Sequence, residues 1–210
     1  MKPIVAAFDF DGTLSRGVSG LRFFRELLGP AAYSWFWLRQ LPALISYGLR
    51  TNHEASLERI NRHIFTHRRT AEVATAGEKF AQQDLSRHLW PDMVKVMLAH
   101  RDRGDRCVVV SRGYEAYLRP WARSVGIHDV LCTRLESGSD GRLTGAMPEP
   151  SCDGDEKVRR LLRLLGDRDA VELHAYGDGP GDFPLFQEAD CAFIRSGSSF
   201  QPWISNEGHS

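Results

Sequence analysis

The sequence predicts an α/β fold, a doubly wound parallel sheet, on three observations. Five short apolar runs, at 4–8, 107–110, 130–133, 173–176 and 191–194, are nearly continuous rather than alternating, as strands covered on both faces are. Helical stretches at 93–101, 115–125 and 156–165 separate the later runs. Acids, a serine and glycines gather just after the runs, where open α/β sheets hold their ligands. At 210 residues, with 42% hydrophobic and 26% charged residues, the chain can bury a core, which excludes disordered and fibrous classes. Lys plus Arg equals Asp plus Glu at 27 each, so the charge balance points to a small-molecule partner, with no nucleic acid.

The first run, Ile4 to Phe8, ends in Asp9, Phe10, Asp11, Gly12 and Thr13. Residues i and i+2 of a strand share a face, so both carboxylates can enter one pocket if the chain stays extended through Phe10. Gly12 then lets the backbone turn away. The stretch from 15 to 89 contains no clear strand and reads as a helical insert. One helix spans 19–28, and a second crosses the aromatic run 27–49. Thr51 opens a third, with Glu54 completing a capping-box pattern, and a fourth spans 70–88. Arg39, Gln40, Pro30 and Pro42 interrupt the aromatic run, which argues against a membrane span and leaves surface contact with a membrane as a minority reading. Trp35, Phe36 and Trp37 are expected to fill the interior.

In the remaining part of the chain, Pro120 predicts a kink or split in the helix at 115–125. Asp140-Gly141 within 137–147 predicts a hairpin. Val158, Leu161, Leu162 and Leu165 give the last long helix its apolar stripe. The four cysteines, at 107, 132, 152 and 191, form no CxxC pair. They are expected to be buried free thiols of a cytoplasmic protein, and the amino terminus meets Asp9 too early for a secretory signal.

The residues at the end of each strand have a chemical meaning. Asp9 and Asp11 come after the first, Ser111 after the second, and "GDGPGD", with Asp178 and Asp182, after the fourth; Lys157 lies in the first turn of the helix after the hairpin. Carboxylates at 9, 178 and 182 are hard oxygen ligands of the kind Mg2+ takes. Ser111 and Lys157 offer a phosphoryl group a hydrogen-bond donor and a compensating charge.

"DFDGT", the serine after "CVVV", Lys157 and "GDGPGD" resemble, in order and spacing, the four motifs of the haloacid dehalogenase-like hydrolases. "VVVSRGYEAYLRPWARSVGI", "VLCTRLE", "DGRLTG" and "YGDGPGDFPLF" resemble the phosphoserine-phosphatase-like branch. The resemblance implies a Rossmann-like core, 1–14 and 90–210, under a helical cap, 15–89, that closes to exclude water. It implies a Mg2+-dependent phosphatase of small phosphomonoesters. Asp9 would be the nucleophile and Asp11 the acid and base. Ser111, Lys157 and the Gly113 N–H at a helix start would hold phosphate. Asp9, the Asp11 carbonyl and Asp178 would hold the metal, with Asp182 ligating it or orienting a water. A phosphotransferase, a lipid-phosphate phosphatase and a ligand-binding protein without turnover are the alternatives.

Other features carry less. Phosphoserine phosphatases have an acid shortly after the first motif, whereas this chain has Ser15, Arg16, Gly17, Val18 and Ser19, so phosphoserine is disfavoured. Arg16, Arg22 and Arg25 could favour an anion, and Arg112 could reach substrate. His63 and His67, four residues apart, are expected on a solvated basic face. Thr133 and Arg134 are expected to be structural.

Overall fold

The computed structural model describes residues 2–48 and 53–204, without the side chains of 40–48 and 53. Six strands form one sheet: β1 (Ile4–Phe8), β2 (Arg106–Tyr114), β3 (Asp129–Thr133), β4 (Glu172–Gly177), β5 (Cys191–Ser196) and β6 (Ser199–Pro202). Their order is β3-β2-β1-β4-β5-β6, with the first five parallel and β6 antiparallel to β5. All five expected strands are present. The sixth is a four-residue edge piece ending in Pro202, with too little apolar pattern to be legible. Winding runs outward from β1 in both directions, so the switch point lies at the carboxyl ends of β1 and β4.

Although β1 reads as continuously apolar, its faces serve two cores. Ala6 and Phe8 join one cluster with Phe10, Met97 and Trp121, while Val5 and Ala7 join the other with Val108, Val110, Leu161 and Leu185. The first cluster runs without a break into the insert, through Phe23, Phe65 and Phe80.

The insert is helical, as expected: α1 (Ser19–Leu28), α2 (Pro30–Gly48), α3 (His53–Phe65) and α4 (Thr70–Gln83). Thr51 of the expected capping box lies outside the described residues. The helix expected over 70–88 stops at Gln83, and a 3-10 turn takes up Leu85–His88. The chain must turn back there, because Leu89 bridges Ser15 and the Trp90 N–H donates to the Leu14 carbonyl (2.8 Å). Phe36 is buried, but Trp35 is 57% exposed, contrary to expectation, because the neighbouring side chains Phe36 and Trp37 take the inward places on α2.

Between the strands lie α5 (Pro91–Asp102), α6 (Glu115–Ser124), α7 (Asp155–Leu165) and α8 (Phe183–Glu188). Pro120 does not split α6, which is helical throughout. The proline removes the N–H that would bond the Ala116 carbonyl, and Gly77 of α4 packs against that oxygen. A Cβ at Gly77 would lie 2.1 Å from it. The expected tight turn forms at Asp140-Gly141, with Gly141 at φ 73° and Ser137 bridging Leu143. It docks on the start of α4 through the Thr70 N–H to the Gly141 carbonyl (3.0 Å).

Cys107, Cys132 and Cys152 are buried free thiols and Cys191, expected to be buried, is half-buried at the start of β5. Burial pushes Cys107 up to about 11 and Cys152 up to about 12, so both stay protonated and unreactive at neutral pH. Among the described residues no helix is long and apolar enough to cross a membrane.

Candidate active site

Parallel pairing of β1 with β4 places Phe8 opposite Tyr176, so the residues just beyond them, Asp9 and Asp178, emerge side by side at the switch point. The Asp9 N–H donates to the Tyr176 carbonyl (2.8 Å), which continues the strand geometry one residue further. Phe8 and Phe10 enter the core, where Phe10 meets Trp121 edge-on at 4.7 Å. Asp9 and Asp11 therefore line a cleft of about 700 Å3 with Ser111, Lys157, Asp178 and Asp182. Gly12, at φ 88°, turns the chain, and a Cβ on it would collide with the Asp178 carboxylate at 2.2 Å. Its carbonyl accepts from Arg195 Nε.

Lys157 enters from the first turn of α7 and is almost fully buried. Its Nζ donates to Asp9 Oδ1 and to Asp182 Oδ1, each at 2.6 Å. Asp182 Oδ2 accepts from the N–H groups of Asp178 (3.0 Å) and Gly179 (3.3 Å), so both of its oxygens are engaged in bracing the loop after β4. Only a glycine fits at 177, where a Cβ would lie 2.5 Å from the Asp182 Cγ. Thr13 Oγ1 lies 3.1 Å from both Asp9 Oδ2 and Asp178 Oδ1 and links the two carboxylates. Buried Arg160 steadies the approach to α7 by donating to the Cys132 carbonyl (2.7 Å) and to Glu156 Oε1 (2.6 Å).

Burial raises the Asp9 pKa, against the pull of Lys157, and the charge of Asp182 raises it further. Burial alone would lower the lysine, but Asp9 and Asp182 together raise it, so it stays an ammonium. Asp178 is raised by burial and by Asp182. Oxygens of Asp9, Asp178 and Asp182 lie within 4.8 Å of one another around one ammonium, with Arg195 acting on Asp178 through space. An excess of carboxylate on hard, closely spaced oxygens fits a divalent cation of the Mg2+ type, for which Asp9 and Asp178 are the available side chains.

Asp11 differs. Its Oδ1 accepts from the Ser19 N–H (3.0 Å) and the Ser15 hydroxyl (3.2 Å), away from the Asp9–Asp178 pair. Burial raises its pKa, and the Ser19 hydrogen bonds pull the other way. A carboxyl so placed can carry a proton at the edge of the cleft.

Gly113 lies just ahead of the helix start. β2 continues through an irregular register to Tyr114, so Gly113 precedes α6 by two residues and its N–H donates to Ser111 Oγ (3.1 Å). Ser111 is buried at the cleft wall. Arg112 does reach the cleft, paired with Asp153 at 3.0 Å. Arg16 and Arg22 do not: Arg16 stacks over Trp90 at 4.5 Å and Arg22 pairs with Asp84 at 2.9 Å. Arg25, in the last turn of α1, is also absent from the cleft. Thr133 ties the strand ends together by donating to the Arg112 carbonyl (2.7 Å), and Arg134 lies 3.6 Å from Glu115 at the surface. His63 and His67 are exposed, and neither joins a metal-ligating cluster among the described residues.

Two cleft residues go beyond the sequence expectations. Asp153 belongs to "CDGDE" just before α7, an acid-glycine step like those at Asp11 and Asp178 and therefore a signal that the sequence does carry. Glu54 comes from α3 across the cleft, and its carboxylate accepts from the Ser151 N–H (3.1 Å) and hydroxyl. The sequence marks it only as a capping residue of its own helix, not as a residue of the cleft.

The fold and the site define a phosphatase-type hydrolase. The chain belongs to the haloacid dehalogenase-like hydrolases, whose family model matches residues 6–187. It is 33% identical over 189 residues to Protein CicA of Caulobacter vibrioides, covering 90% of this chain and 84% of that one. It is 28% identical over 121 residues to a histidinol-phosphatase of Neisseria meningitidis serogroup C, covering 55% and 54%. A solved protein from Bordetella pertussis Tohama I superposes with a TM-score of 0.78 at 23% identity, over 91% and 89% of the two chains. A phosphoserine phosphatase shares the fold at a TM-score of 0.57 and 20% identity, over 91% and 85%.

Proposed function

We propose that the chain is a Mg2+-dependent phosphatase that cleaves a small phosphomonoester through an aspartyl-phosphate on Asp9. The observation that carries this reading is the division of labour between the two acids. Asp9 is clamped by Lys157 beside Asp178, whereas Asp11 turns its carboxylate to the Ser19 N–H and the Ser15 hydroxyl at the edge of the cleft. Asp9 attacks phosphorus, the P–O bond to the alcohol breaks, and Asp11 gives its proton to the departing oxygen. Water then attacks the same phosphorus, Asp11 takes back a proton, and the bond to Asp9 breaks to release inorganic phosphate. Ser111 and Lys157 bind the phosphoryl oxygens, the lysine exchanging part of its contact with Asp9 for contact with them.

The bound cation supplies charge compensation between the Asp9 carboxylate and the anionic phosphate. Asp9, Asp178 and the Asp11 carbonyl hold it, and Asp182 acts through the loop it braces. We assign residues 1–14 and 90–210 to the core and 15–89 to the cap, a division supported by the Ser15–Leu89 bridge where the two connections run side by side. The four free thiols support a cytoplasmic site of action.

The test is phosphate release from a panel of phosphomonoesters, with and without Mg2+, by the wild type and Asp9→Asn. Metal-dependent release that falls at least about 10³-fold in Asp9→Asn is expected. Release that persists in Asp9→Asn would discard the nucleophile.

A further inference from the structure

Beside the cleft lies a second cavity of about 180 Å3, which borders it at Asp11, Val18 and Arg112, the residues that line both. Its other walls include Leu21 and Phe24 of α1, Trp37 of α2, Leu57 and Ile60 of α3, and Tyr114 at the end of β2. Among the described residues the only charged side chains lining it are the two it shares with the cleft. The Tyr114 hydroxyl donates to Asn61 Oδ1 at 2.6 Å.

We propose that this cavity receives the leaving group, and that the substrate is the phosphate ester of an alcohol carrying one aromatic ring or a short hydrocarbon chain. The inference rests on the phosphatase reading above. If Asp11 protonates the departing oxygen, the carbon attached to that oxygen emerges beside Asp11, and that is where the second cavity begins. Its volume suits about one six-membered ring, since an apolar cavity of about 150 Å3 accepts benzene.

Charged leaving groups fare poorly there. The ammonium and carboxylate of a phosphoamino acid would lose their water against Leu, Phe, Ile and Trp side chains. The first turn of α1 has no acid to meet an ammonium. Glu54, across the cleft, is held by Ser151, and Arg112 is paired with Asp153.

The experiment compares kcat/KM for 2-phenylethyl phosphate, ethyl phosphate, phosphoserine and dodecyl phosphate, with acetyl phosphate as a substrate that needs no leaving-group pocket. Burying the ring is expected to favour 2-phenylethyl over ethyl phosphate by about 10- to 100-fold, with phosphoserine no better than ethyl phosphate. Leu21, 38% exposed at the rim, can be changed with little risk to folding, and Leu21→Asp is expected to cut the phenylethyl-to-ethyl ratio at least about tenfold. Equal rates for the two esters, a preference for phosphoserine, or an unchanged ratio in Leu21→Asp would overturn the inference while leaving the phosphatase reading intact. Dodecyl phosphate outpacing 2-phenylethyl phosphate would also overturn it, in favour of a lipid-like substrate. Failure to hydrolyse even acetyl phosphate would overturn the phosphatase reading itself.

Discussion

The ammonium of Lys157 counters two carboxylates in a nearly dry site, so its removal has two consequences. Lys157→Met is expected to lower phosphate release by about 10²–10³-fold through loss of a phosphate-directed charge. It is also expected to cost about 3 kcal/mol of stability, because Asp9 and Asp182 lose their buried partner. Urea denaturation beside a phosphate-release assay separates the two, and a variant stable and active as the wild type would remove the lysine from the site. A second buried group lies beneath the sheet end. His100 bonds Asp105 Oδ2 and the Tyr176 hydroxyl, both at 2.8 Å, and burial lowers its pKa below the ordinary histidine value of 6.5. Because the unfolded chain binds this proton more readily, His100 contributes stability above about pH 6.5 that is lost as pH falls toward its folded pKa. The drop in urea midpoint between pH 7.5 and 5.5 should therefore be smaller in His100→Gln, and an equal drop would assign the acid sensitivity elsewhere. Asp9 and Asp178 are legible because each comes directly after an apolar strand, and Asp11 because it follows Asp9 at the strand period. Glu54 is not, since its place in the cleft depends on how α3 lies over the core.

At the scale of elements, strand placement follows from apolar runs because burial on both faces forces them, and helix α7 from its period of apolar residues. The helix ends are harder to read. The stop at Gln83 is set by the need to return Leu89 to Ser15, a contact between residues 74 positions apart that no local propensity records. Pro120 is the converse case: the local rule expects a break, and packing absorbs the orphaned Ala116 carbonyl against Gly77. A methyl at that contact forces α4 and α6 apart, so Gly77→Ala is expected to destabilise by about 1–3 kcal/mol. Thermal melts would show it, and an unshifted melting temperature would mean that the helices separate without cost. Gly177→Ala should displace Asp182 and with it the loop carrying Asp178, lowering activity more than stability.

Taken whole, the molecule has a sheet with two apolar faces, and one of those faces continues into the insert. Phe23 of α1 meets Tyr117 of α6 edge-on at 5.0 Å, and Phe24 lies 5.5 Å from Tyr114 of β2. Such a shared core predicts one cooperative unfolding transition, with Trp fluorescence and far-UV circular dichroism coinciding in urea. Phe23→Ala should shift both probes together by about 3–5 kcal/mol; separate transitions would show the insert to be an independent unit. The sequence by itself determined the α/β class, the five parallel strands, the helical character of the insert and the set of acids, serine and lysine at the strand ends. Each of these comes from patterns within a few residues, where periodicity and burial act directly. The tertiary structure alone decided which of those groups share hydrogen bonds, that Gly113 turns to Ser111, and that α1, α2 and α3 enclose an apolar cavity beside Asp11. Those outcomes depend on distances between segments far apart in the chain, and only the packing of helices on the sheet sets such distances.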